Sequence, residues 1–341
     1  MKANSTSPYQ DTEACLLRSL KVATTKKVLF IGGSLNQTKM AFRVAQQLDA
    51  YGSYFTPYYG DGILRRMSEK GWLNNTILGG AARAATERFL KEQQLPIDYR
   101  GERHHYDLVV TGSDSIIPKN IGQRPIILIQ EGMMIPENWV SRLVRHLGLP
   151  RYLGNTAMTG LSDQYQKFCV ASEGWKQAFI QKGVKREKIV VTGIPNFDDV
   201  DRYRENDFPH EGYVLGATSC LRETYQYENR KKFIRKVLDV ANGRQVIFKL
   251  HPNENKARAI REIERYAPQS LIYTQGDINP MIANCEAMVT KYSSVLLVAL
   301  GLNKRVISDL SEEQLQLLKP WQNGGTSAQR IADVCRQYLC S

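Results

Sequence analysis

The chain has little of what builds stapled or metal-held folds. Its six cysteines, Cys15, Cys169, Cys220, Cys285, Cys335 and Cys340, are scattered without a C-x-x-C pair. That spacing fits reduced thiols in a cytoplasm rather than disulfides or a zinc ribbon, and no metal site is read from the sequence. No run of about 18 uncharged apolar residues occurs, which excludes a membrane-spanning helix. The first 25 residues are polar and lack the apolar centre of a secretory signal, so export is not expected and the cytoplasm is the expected location. A complete G-x-G-x-x-G is missing, so a dinucleotide cofactor is unsupported.

What is present is a chain of 341 residues, 42% hydrophobic and 23% charged, long enough for roughly two domains with sizeable cores. Its formal net charge is +12, with +8 in residues 1–200 and +4 in 201–341. An anionic partner is implied: nucleic acid, an anionic membrane or a phosphorylated small molecule. Short apolar, β-branched runs alternate with longer amphipathic stretches, as in parallel sheets joined by crossover helices. Strands are expected at 27–31, 107–111, 125–130, 167–171 and 189–192, then at 213–217, 246–250, 271–274, 287–290 and 305–308. Helices are expected at 38–50, 81–94, 173–182, 228–241, 256–266 and 327–339. The polar stretch from Asn196 to Gly212 separates the two strand series and reads as a linker. The expected division is therefore 1–200, 201–325 and a C-terminal helix over 326–341 that crosses back to the first domain. The fold class is α/β, with two doubly wound, Rossmann-like sheets facing across a cleft that binds ligands at the carboxyl ends of the strands.

Functional residues are therefore expected just after strands. Gly33 and Ser34 follow the first strand and lead into a helix, where small residues make either a tight turn or an approach for an anion. Glu131 ends the strand PIILIQ, where desolvation by a facing domain would raise its pKa toward that of a general base; Asp61 and Asp114 are its rivals. In Lys249-Leu250-His251-Pro252-Asn253, strand alternation puts Lys249 and His251 on one face, and Pro252 stops the strand with His251 at its mouth. Such a pair can neutralise a phosphate and protonate its leaving oxygen. Lys291, Ser293 and Ser294 stand at the turn from strand AMVT into an apolar helix, where hydroxyls either cap the helix or hold a phosphate. Thr218, Ser219 and Arg222 open the second sheet, as the floor for a nucleotide or as a plain junction.

KLHPN and KYSSV, with Asp277 to Asn279 before AMVT and VALGLNKRVIS after it, resemble the C-terminal half of GT-B transferases. The nearest likeness is to bacterial CDP-glycerol glycerophosphotransferases and capsule-type sialyl and Kdo transferases, over roughly residues 105–310. The resemblance implies that His251, Ser293 and Ser294 contact the donor phosphate with support from Lys249. It implies a nucleotide-activated donor in the second domain and an acceptor entering from the first. Single displacement with inversion, without a metal or other cofactor, follows, with Glu131 or Asp61 as the base. Many relatives have histidine where Glu131 stands and an acidic residue where Lys291 stands. Acceptors in this class are often anionic or lipid-linked glycans. That suits the arginines of the N-terminal half, such as Arg142 and Arg145 near Trp139, and a peripheral position on the inner face of the cytoplasmic membrane.

Two other readings compete. Thr218 to Glu223 and His251 to Asn253 are also similar to segments of the non-hydrolysing UDP-GlcNAc 2-epimerases, although those carry Ser-Gly-Gly where Tyr292-Ser293-Ser294 stand here. The run from Asn229 to Lys236 suggests nucleic-acid binding, but its apolar stripe reads as an amphipathic helix with a solvated basic face. With no zinc-finger, RNP or helix-turn-helix signature, no nucleic-acid partner is expected.

Overall fold

The computed structural model describes residues 25–340 apart from 75, 134–138, 225 and 292; Cys15, the N-terminal segment and Tyr292 lie outside the described residues. Two parallel sheets carry the fold. The first has the order β2-β1-β3-β4-β5-β6, with β1 Lys27–Ile31, β2 Gly52–Thr56, β3 Leu108–Thr111, β4 Ile126–Ile129, β5 Lys167–Val170 and β6 Ile189–Val191. The second has the order β11-β10-β7-β8-β9, with β7 Val214–Ala217, β8 Val246–Lys249, β9 Leu271–Tyr273, β10 Ala287–Val289 and β11 Arg305–Ile307. The interior strands are buried on both faces, which is why they read as continuous apolar runs rather than alternating ones.

The helices are α1 Leu35–Ala45, α2 Gly62–Glu69, α3 Gly80–Glu92, α4 Trp139–His146, α5 Glu173–Lys182 and α6 Arg230–Ala241, then α7 Lys256–Tyr266, α8 Ile278–Asn284, α9 Val295–Gly301, α10 Glu312–Leu317 and α11 Ser327–Leu339. Their starts are locally encoded. Ser34 and Gln37 cap α1 reciprocally, while Asn229 and Asn255 accept from Lys232 N and Arg258 N to start α6 and α7. Helix α6 stops at Asn242, which takes the left-handed conformation with φ 45°.

Strand β2 was not expected from the sequence. Its residues, GSYFT, include three that are only partly buried, and it pairs along its length with β1 alone, so it carries no continuous apolar run. The larger apolar core is continuous from the first sheet through Tyr213, Leu215 and Met288 of the second to α9 and α11. The last part of the chain lies on the first unit. Helix α10 contacts α5, α11 packs on α1 and β3, and Trp175 Nε1 donates to Leu318 O at 2.9 Å. Among the described residues no helix is long and apolar enough to cross a membrane.

Candidate active site between the two sheets

All strands of a sheet run the same way, so the loops after β1, β3 and β4 share one edge of the first sheet. Those after β7, β8 and β10 share one edge of the second. On the first edge Glu131 is held by two donors. Ser34 Oγ donates to its Oε1 at 2.7 Å, and Gln37 Nε2 donates to its Oε2. Ser34 Oγ also accepts from Gln37 N at 3.2 Å, and Gln37 Oε1 accepts from Ser34 N at 3.0 Å. The capping box of α1 thus doubles as the cradle of the carboxylate. Gly33 leaves the space that the Gln37 carboxamide fills; a Cβ there would overlap it. Burial raises the Glu131 pKa above the usual carboxylate value, and the two donated bonds only partly oppose that.

The next two residues meet the opposite domain. Ser294 Oγ accepts from Met133 N at 3.4 Å, and a Cβ on Gly132 would collide with that hydroxyl. The paired-serine loop therefore closes on the Glu131 loop through a position that only glycine fits. Ser294 sits at the N-terminal boundary of α9, but its side chain makes no capping bond, so its hydroxyl is directed to the other domain instead.

On the second edge Thr290 Oγ1 donates to Ala217 O at 3.1 Å, tying the end of β10 to β7. Thr218 Oγ1 donates to Glu254 Oε1, and His251 N donates to Thr218 Oγ1 at 2.9 Å and to Glu254 Oε1 at 2.8 Å. The exposed turn Pro252-Asn253 folds back so that Asn253 N donates to His251 Nδ1 at 3.1 Å. In the neutral ring the proton is then on Nε2, which lies 3.9 Å from Cys220 Sγ. Burial lowers the His251 pKa below its usual value, so at neutral pH this ring offers an N–H donor rather than an imidazolium. Lys249 is buried with Nζ 3.3 Å from Leu250 O; its pKa is lowered first by burial and then by Lys256.

Beneath these loops lies a network that sequence reasoning missed. Arg230, 3% exposed, bonds Glu254 Oε2 at 2.9 Å and Ser219 O at 3.2 Å through Nη2, and its Nε lies 3.0 Å from Glu228 Oε1. Ser219 Oγ in turn donates to Glu228 Oε2 at 3.0 Å. The start of α6 is therefore an interior ion cluster and not the solvated basic face expected for the whole 229–236 run.

Other sequence candidates are engaged elsewhere. Asp114 is buried, its carboxylate accepting from Gly160 N and Ser162 N at 3.0 Å each, which organises the 160–162 loop. Asp61 accepts from Lys119 N at 2.6 Å and lies 3.4 Å from Arg100 Nη2. Arg222 is clasped by both oxygens of Glu262 on α7 at 2.8 Å, and Lys291 faces Asp309 at 4.0 Å. Ser293 contributes its carbonyl to the first turn of α9, accepting from Leu296 N at 3.0 Å. Of the missed residues, Gln37 had a signal in the Ser-x-x-Gln spacing of a capping box. Glu228, Arg230 and Glu254 had none, because their pairing spans 24 residues of chain between Arg230 and Glu254.

No family model and no curated protein matches the chain. Solved structures do. The S. aureus MnaA–UDP co-structure superposes with a TM-score of 0.54 at 12% identity, covering 92% of this chain and 97% of that one. Methanocaldococcus jannaschii UDP-GlcNAc 2-epimerase, with UDP-GlcNAc and UDP, gives 0.53 at 13% over 92% and 100%. The Neisseria meningitidis UDP-GlcNAc 2-epimerase bound to UDP-GlcNAc gives 0.53 at 12% over 92% and 100%. The fold is GT-B-like. At this identity the likeness extends to the fold alone, and it does not single out the sialyl and Kdo transferases that the motifs resemble.

Proposed function

We propose that the cleft binds a nucleotide-activated sugar. On this reading the protein is a metal-independent, inverting glycosyltransferase that moves an acidic sugar, Kdo or sialic acid, onto an anionic or lipid-linked glycan. The observation that carries it is Glu131. A carboxylate with a raised pKa, oriented by two donors, stands one residue from the glycine on which Ser294 of the nucleotide-side sheet closes. Glu131 takes the proton of the acceptor hydroxyl as that oxygen bonds to the anomeric carbon. The bond from that carbon to the phosphate oxygen breaks, and its electron pair leaves with the phosphate. His251 Nε2–H, Lys249 and the hydroxyls of Ser293 and Ser294 meet the growing charge.

A second reading, 2-epimerisation of UDP-GlcNAc, draws on the Thr218–His251 contact at 2.9 Å, which joins the two segments that resemble epimerases. UDP-GlcNAc, a ligand named for two of the solved structures above, belongs in the same test. The protein is incubated with CMP-Kdo, CMP-sialic acid, CDP-glycerol and UDP-GlcNAc, each with and without a glycan acceptor, and products are read by mass spectrometry. Acceptor-dependent release of CMP is expected. Conversion of UDP-GlcNAc without acceptor would replace the transferase by an epimerase, and acceptor-dependent turnover of CDP-glycerol would make it a polyol phosphotransferase.

Peripheral attachment to an anionic membrane is part of the proposal. Trp139, Leu143 and Leu147 are exposed on and just after α4, and Arg142 and Arg145 share that helix. Flotation with phosphatidylglycerol liposomes at low salt should carry the wild type, and Trp139→Ser/Leu143→Ser should stay in the soluble fraction. Equal flotation of both would remove this part.

A further inference from the structure

We infer that the second domain carries another anion site, outside the cleft, for a phosphate ester that bears a ring. A cavity of about 570 Å³ opens among the turn Leu221–Thr224, the start of α6 and the length of α7. Six cations line it, Arg222, Arg230, Lys231, Arg258, Arg261 and Arg265, against two carboxylates, Glu228 and Glu262. Some of this charge is already spent. Arg222 is clasped by Glu262, Arg258 pairs with Glu223, and Arg230 with Glu228 and Glu254. Lys231, Arg261 and Arg265 have no ion pair among the described residues. Lys231 and Arg265 instead hold their charges 5.3 and 5.5 Å from the centre of the Tyr266 ring.

The cations that keep no ion pair, Lys231, Arg261 and Arg265, lie at exposed positions and offer N–H donors at the cavity that acceptor oxygens of a ligand can meet. A phosphate supplies several in one group. Tyr227, 86% exposed on the rim, adds a bare aromatic face on which a sugar or base ring can stack. This site is separate from the cleft: the Glu228–Arg230–Glu254 cluster has the cavity on one side and the Thr218 and His251 loops bonded to the other.

The test is calorimetry on the full chain carrying Ser294→Ala, which weakens the cleft, with inorganic pyrophosphate as the first probe at low salt. Binding is expected, and adding Arg261→Gln/Arg265→Gln, both exposed positions, should weaken it at least tenfold. The pair Arg186→Gln/Arg202→Gln, also exposed and outside the cavity lining, removes the same charge and should leave affinity within twofold. No pyrophosphate binding, or equal weakening by both pairs, would overturn the site. Glucose 1-phosphate and UMP then distinguish a sugar from a base. One of them should bind more tightly than inorganic phosphate and lose that advantage in Tyr227→Ala. If neither does, the ring is refuted.

Discussion

At the scale of one residue the proposed function rests on Glu131. Its folded pKa is raised by burial, so the fold favours the protonated form. The associated stability is present below the unfolded pKa and is lost as pH rises through the folded one, so the ionised base is held at a cost to the fold. Activity has the opposite sign, because only the carboxylate accepts a proton. The pH profile of kcat/KM should therefore rise through a value above the ordinary carboxylate range. Glu131→Gln should lower kcat/KM by about 10²–10⁴-fold and abolish that limb, while nucleotide affinity stays unchanged. A limb that persists in Glu131→Gln would assign the base to another group. The sequence placed His251 at the mouth of its strand, just before a proline; that burial lowers its pKa depends on the tertiary fold and was not legible there. Gln37 was missed; its capping spacing could have marked it, but that its amide also steers a carboxylate 94 positions away depends on the tertiary fold.

Helices and strands follow the sequence where one local cause decides them. Continuous apolar runs marked the strands buried on both faces, and amphipathic stretches at 228–241 and 256–266 marked α6 and α7, whose starts the Asn229 and Asn255 caps fix. Strand β2, at the sheet edge and half-covered, had no such cause. Nor did the first turn of α6, where Arg230 has the local pattern of a solvated basic face, while its burial comes from Glu254 in the loop before α7. Removing that arginine leaves two carboxylates in the interior. Arg230→Met is expected to cost about 3–5 kcal/mol in urea unfolding and to loosen the Thr218 and His251 loops together. A loss under about 1 kcal/mol would show that the cluster does not hold these loops.

Over the whole molecule the two sheets are joined by a shared apolar core. The main core runs through both, Ser294 closes on Gly132, and the chain returns to the first unit through α10 and α11. The length alone allowed two domains; their mutual placement came from contacts between residues more than a hundred positions apart, such as Met133 with Ser294. The excess charge divides in the same way. Part of the second half's share lines the outer cavity, and the larger share of +8 belongs to residues 1–200, on the proposed acceptor and membrane side. The proposed function requires the cleft to hold a nucleotide. Thermal unfolding with CMP, CDP, UDP and GDP tests it most directly, because a ligand bound only to the folded chain at a hundredfold its Kd adds about 2.7 kcal/mol. At least one of the four should raise the Tm of the wild type and lose that effect in Ser294→Ala/His251→Ala. No shift with any of them, or a shift that survives in the double variant, would contradict it.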